Sequence, residues 1–101
     1  MNDHARDVLA KHAMLGTKQA FNTMRDVHGG MCALGVLMYE LLGEARACNT
    51  SEERKLWLRT YQVTRREEQE ILDANDKLKW DFLTISRKCG NGVQEEVAKE
   101  A

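Results

Sequence analysis

The sequence predicts an all-α protein, a single compact domain of four to six helices around a buried central helix near residues 31–42. Three observations point there. The chain has no proline, and two isoleucines stand against eleven leucines, a balance that favours helix over sheet. Apolar–polar alternation of period 2, the mark of a half-buried strand, is nearly absent. The run Met31–Leu42 is apolar on almost every side and broken by Glu40. Such a stretch reads as a central helix, and it is shorter than the roughly 20 residues that cross a bilayer.

The elements follow in order. Asp3 caps a first helix of about Asp3 to Leu15, with Val8, Leu9, His12 and Leu15 on one face and Gly16 at the position after the cap. Residues 17–30 admit two readings, a short helix capped by Thr17 or an irregular connection ending at His28-Gly29-Gly30. The central helix carries Gly35, which costs roughly 1 kcal/mol in mid-helix and implies close approach of a neighbouring helix. Gly43 ends it. Ser51 caps the next segment, with Glu52 and Glu53 suited to a helix N-terminus. Thr64-Arg65-Arg66-Glu67 reads as a capping box, so residues 51–74 form one long helix or two that break near Val63. Asn75-Asp76 signals a turn. Asp81 caps Phe82 to Cys89, with Phe82, Ile85 and Cys89 on one stripe, and Gly90-Asn91-Gly92 stops it. The domain spans residues 1–92; residues 93–101 are a charged C-terminal tail that frays.

A length of 101 residues fits one domain. Fifteen Lys and Arg against sixteen Asp and Glu give a net charge of −1, without the positive field that drives binding to nucleic acid or anionic membranes. Three cysteines, Cys32, Cys48 and Cys89, close no even disulfide framework and form no C-x-x-C pair. Reduced thiols and the lack of an apolar leader at the start point to a soluble cytoplasmic protein.

The motifs that could carry chemistry each stop short of a complete set. His28 and Cys32, with Asp26 near, supply too few ligands for zinc. Cys32 in the first turn of the central helix would have its pKa lowered by the helix dipole, and a Cys–His nucleophile with His28 can be written down. The orienting third residue is missing, however, and burial would make the thiol inert. His28-Gly29-Gly30 lacks the lysine and preceding strand of a phosphate loop. The expectation is therefore no enzyme, no metal and no cofactor. Residues 77–97 can be laid on a helix-turn-helix, with Lys77, Lys79, Arg87 and Lys88 as candidate DNA contacts. Its second helix, 94–100, is acidic and would face phosphate with the wrong sign. Trp57, Tyr61 and Trp80 are candidate partner-binding residues wherever they are exposed, and otherwise core.

Two stretches together resemble a known group. Residues 24–37, containing Asp26, Gly29, Cys32, Ala33, Leu34 and Gly35, resemble a D-x-x-G-x-x-C-A-L-G-A-L pattern. Residues 75–86, containing Asn75, Asp76, Trp80, Phe82 and Ile85, resemble N-D-x-x-x-W-(S/D)-F-x-x-I-A. Both patterns occur in this order in small uncharacterised helical proteins of bacteria and their phages. Val36 replaces the usual alanine, and Ala74 stands where a tryptophan often precedes Asn-Asp. The resemblance carries no activity. It implies that Cys32 and the Asn75-Asp76 turn are structural signatures. Asn75 or Asp76 would close the loop by bonding backbone amides, and Cys32 and Gly35 would permit tight packing. The expected function is that of a non-enzymatic interaction protein, phage- or mobile-element-borne, binding a protein partner or forming a homodimer. DNA binding through residues 77–97 is the alternative.

Overall fold

The computed structural model describes residues 1–91. Among them five helices follow one another: α1 Asp3–Met14, α2 Ala33–Leu42, α3 Ser51–Tyr61, α4 Arg65–Asp76 and α5 Phe82–Lys88. The all-α class and the central helix are as expected. The tail 93–101 and the acidic helix 94–100 lie outside the described residues.

Helix α1 packs against α5, α2 and α3, and α4 packs against α2 and α5. The core between them holds Leu9 of α1, Leu37 of α2, Trp57 and Tyr61 of α3, Ile71 of α4 and Ile85 of α5. Trp57 and Tyr61 meet edge to face with ring centroids 5.2 Å apart. Their polar atoms are also bonded inside: Trp57 Nε1 donates to Val63 O at 3.2 Å, and Tyr61 Oη donates to Leu37 O at 2.9 Å. Burial pushes the Tyr61 hydroxyl up to about 12.

The first cap is one residue earlier than expected. Asn2, not Asp3, caps α1, its side chain accepting from Ala5 N–H at 3.0 Å. The physical reason is that Asn2 serves two helices. Its amide nitrogen donates to Thr60 O at 2.8 Å and its backbone N–H to Tyr61 O at 2.9 Å, satisfying carbonyls that the end of α3 leaves without helical partners. Helix α1 ends in a Schellman motif, with Gly16 at φ +71°, Gly16 N–H on Ala13 O and Thr17 N–H on His12 O. Leu15 is thereby turned out of the helix and is 69% exposed, against its expected place on the buried face. His12 stays buried, bonded to Thr17 Oγ1 at 2.7 Å and to Glu40 Oε1 at 2.8 Å.

Residues 17–32 are the irregular connection, not a helix. The segment doubles back on itself as a strap: Ala20 N–H donates to Met31 O, Met31 N–H to Lys18 O and Asp26 N–H to Gly30 O. The Asp26 carboxylate closes its tip by accepting from His28 and Gly30 N–H groups. These bonds hold Asp26 below the usual carboxylate range, the Gly30 bond most strongly.

Helix α2 starts at Ala33, so Cys32 is its N-cap and not part of its first turn. The Cys32 sulfur accepts from Gly35 N–H at 3.3 Å. Ala33 to Met38 are all buried, but Tyr39 and Glu40 emerge, so only the first half of α2 is central. Gly35 does mark a close approach, though not of a helix. A Cβ there would lie 2.3 Å from Met24 O of the strap. Residues 51–76 form two helices. Gln62 turns the chain at φ +53°, and Thr64 and Glu67 form the expected capping box. Thr50, not Ser51, caps α3. Asn75-Asp76 is the last turn of α4 rather than a free turn.

The edges are also stitched. Glu67 is 2% exposed and receives the ammonium of Met1, which also donates to Gly90 O at 2.6 Å. Arg6 donates to the carbonyls of Ser86, Cys89 and Gly90 at the end of α5.

Gly35→Ala tests the strap contact. Helix propensity alone predicts a gain of about 1 kcal/mol. The clash with a backbone oxygen predicts instead a net loss of about 1–3 kcal/mol, read from urea unfolding midpoints at unchanged slope.

Candidate protein-binding cleft

Two features stand out as sites, one closed and one open. The closed one is built on Asn75, which is completely buried. Its Oδ1 accepts from Ala33 N–H at 3.1 Å and from Gln19 Nε2 at 2.8 Å. Its Nδ2 donates to Ala20 O at 2.9 Å and to Asp76 Oδ1 at 2.8 Å. Asp76 Oδ1 in turn accepts from Asn22 N–H at 2.8 Å. Gln19 Nε2 reaches Trp80 O at 2.7 Å. Cys32, Gly35, Asn75 and Asp76 thus converge where the end of α4, the strap and the start of α2 meet. Every polar atom of the Asn75 carboxamide is occupied within the fold, so its chemistry is structural.

The open feature is a cleft of about 750 Å³ bordered by the strap, α2, the 44–50 connection, α3 and α4. Met24, Leu34, Met38 and Leu72 line its apolar part. Cys48 stands beside them, its sulfur 4.0 Å from Met38 Sδ, and burial pushes its thiol up. Arg54, Lys55, Arg65 and Glu68 supply the charges. Arg54 pairs with Glu68 and so joins α3 to α4 across the cleft wall. The 44–50 connection is held by a two-pronged bond from Arg46 to Glu53, at 2.9 and 2.8 Å, while Arg46 Nε reaches Glu44 at 2.8 Å. Asn49 N–H adds a bond to Glu53 at 2.7 Å. Together these hold Glu53 down to about 2 and raise the Arg46 guanidinium further.

Most of the partner-binding candidates lie elsewhere. Trp57 and Tyr61 are 0% and 1% exposed. Spaced four apart on α3, they share its inward face and fill the core, so neither offers a docking surface. Trp80 is partly buried, with Lys88 Nζ 5.3 Å from its ring centroid. Among the basic candidates, Lys77 pairs with Asp73 at 3.4 Å and Lys79 sits over the Phe21 ring at 4.3 Å. Arg87 and Lys88 are exposed on α5. The exposed large apolar side chains include Met14, Val27 and Tyr39, which were not singled out in the sequence.

Of the two effects weighed for Cys32, helix dipole and burial, burial wins: it outweighs the backbone bonds to the sulfur and raises the pKa. Burial also pushes Cys89 up to about 11, with the Glu70 charge adding to the effect. Among the described residues, no group of three His, Cys, Asp or Glu side chains could hold a metal ion. Nor is any helix there long and apolar enough to cross a membrane. Sequence reasoning missed the cleft lining. Its residues are scattered over five elements and become a set only after α3 and α4 separate. The one local signal was the concentration of Arg54, Lys55 and Arg65 around a predicted break. Compared with known protein families, curated proteins and solved structures, the chain matches none.

Two measurements check this geometry. Asn75→Ala strands Ala33 N–H and Ala20 O inside the fold, and should lower unfolding free energy by about 2–4 kcal/mol. Glu53 has a folded-state pKa of about 2 against an ordinary 4.5, so its contribution is present above pH 4.5 and fades as pH falls toward 2. The gap in urea midpoint between wild type and Glu53→Gln should therefore be widest at neutral pH and close across that window.

Proposed function

We propose that the chain is a cytoplasmic, non-enzymatic interaction protein that holds a segment of a protein partner in the cleft between α2, α3 and α4. The single observation that carries this reading is the composition of the cleft. The partly exposed Met24 of the strap and Leu72 of α4 line a concavity floored by the buried Leu34 and Met38 of α2, and Arg54, Lys55, Arg65 and Glu68 line the same concavity, the mix of apolar and charged groups found at small interfaces. Two methionines in that lining suit a protein ligand, because their unbranched side chains repack around different shapes. The thiols support the same class. Cys32 is committed to capping α2, and burial keeps the protons on Cys32, Cys48 and Cys89, which disfavours thiolate chemistry. The paired motifs that resemble small bacterial and phage proteins support a phage- or mobile-element-borne origin and carry no activity.

The exposed residue Gln69 lines the cleft on α4, so Gln69→Trp should block it without disturbing the core. Light scattering at two protein concentrations is the first measurement. A mass near twice 11.6 kDa that reverts to monomer in Gln69→Trp assigns the cleft to self-association. A monomer whose cleft-directed photo-crosslink to a partner disappears in Gln69→Trp assigns it to a different protein. The reading fails if Gln69→Trp, folded by circular dichroism, alters neither mass nor crosslinking.

A further inference from the structure

The charges around the cleft do not cancel, and this bears on what fits there. Its lining holds three cations, Arg54, Lys55 and Arg65, and one acid, Glu68. Glu68 is taken by Arg54. Lys55 and Arg65 are exposed and have no ion-pair or hydrogen-bond partner among the described residues. The nearby carboxylate of Glu53 is no substitute, because Arg46 and Asn49 occupy it. The cleft is therefore locally positive on a chain whose net charge is −1. Concave walls of low dielectric strengthen such a local field. The same concavity is lined by Met24 and Leu72, both partly exposed, and by the buried Leu34 and Met38 beneath them.

We propose that the cleft takes an acidic protein segment that places apolar side chains on the methionine–leucine floor and carboxylates beside Lys55 and Arg65. The inference rests on the interaction reading above and adds the chemistry of the partner. Apolar contact supplies most of the binding free energy. The carboxylates set the preference for sign and speed the encounter. Lys55 and Arg65 come from different helices on either side of the Gln62 turn.

The test uses the full chain labelled at its methionine methyl groups, with the Met24 and Met38 signals followed by NMR. Three short synthetic peptides serve as probes. Two share the same Leu and Phe positions, with the remaining positions all Glu in one and all Lys in the other. The third keeps Glu and replaces Leu and Phe by Ser. The expected result is that the Glu peptide with apolar positions shifts both methyl signals. Raising salt weakens it, and Lys55→Glu with Arg65→Glu weakens it about tenfold. Equal binding of the Lys peptide overturns the acidic preference while leaving the interaction reading intact. Equal shifts by the Ser peptide overturn the apolar anchoring. Methyl signals that change with the chain's own concentration put a second copy in the cleft and overturn the proposed partner. Silence with all three peptides overturns this inference, while the Gln69→Trp comparison decides the reading beneath it. Both substituted positions are exposed, so the double variant should keep its melting behaviour, which circular dichroism checks.

Discussion

One carboxamide determines how this fold closes. Asn75 lies at the end of α4, and its four hydrogen-bonding positions reach the strap, the first residue of α2 and the neighbouring Asp76. A buried amide costs several kcal/mol when left unpaired, so this arrangement tolerates little variation in register. If the strap slipped by a residue, the Ala20 carbonyl and the Gln19 side chain would both lose Asn75. The strap is irregular backbone, and it needs partners from outside itself. Asn75 provides them on one side. Gly35 lets the strap approach on the other, where only a glycine leaves room for Met24 O. The two motifs distant in sequence are therefore one structural unit, with Cys32 and Gly35 in the first and Asn75 and Asp76 in the second.

The same satisfaction of polar groups recurs at the helix ends. Asn2 caps α1 and simultaneously receives the free carbonyls of α3. Arg6 closes the end of α5, and Glu67 pairs a buried ammonium while completing its own capping box. Among the described residues no buried side-chain nitrogen or oxygen lacks a partner. In a chain with 21 Leu, Ile, Val and Phe residues, apolar burial is limited. Polar pairing then specifies which of several helical packings is adopted, since mismatched packings would strand these same groups.

Much of this was legible in the sequence because it is local. The absence of proline and of period-2 alternation, the capping box at Thr64, the stop at Gly43 and the cap at Asp81 all act within a few residues. Whatever depended on distant partners was not legible. Asp3 looked like the first cap because the carbonyls waiting for Asn2 belong to α3. Cys32 could be read as a helix-dipole thiol or as a buried, inert one; its apolar neighbours favoured burial, and in the fold it is buried. Gly35 correctly signalled close approach, but its neighbour was an irregular strap that no periodicity describes. Trp57 and Tyr61 could have been core or surface until the orientation of α3 was known.

The consumption of those aromatics explains the character of the open cleft. With Trp57 and Tyr61 turned inward to complete the core, none of the chain's Trp, Tyr or Phe residues lines it. What remains is Met24 of the strap, Leu34 and Met38 of α2 and Leu72 of α4, medium-sized side chains, with Leu34 and Met38 mostly buried. Such a floor gives contact area without the steep anchor pocket of a large ring. In the proposed reading, charge then carries more of the discrimination among ligands than shape does. The turn at Gln62 matters for the same reason. A continuous helix through residues 51–76 would put Lys55 and Arg65 on one rigid rod, about 15 Å apart along its axis. Breaking the helix folds α4 back so that Arg54 reaches Glu68, and it brings both remaining cations to the border of one concavity. A strained, left-handed residue between two helices is thus what turns a charged polar stretch into a surface with a definite sign.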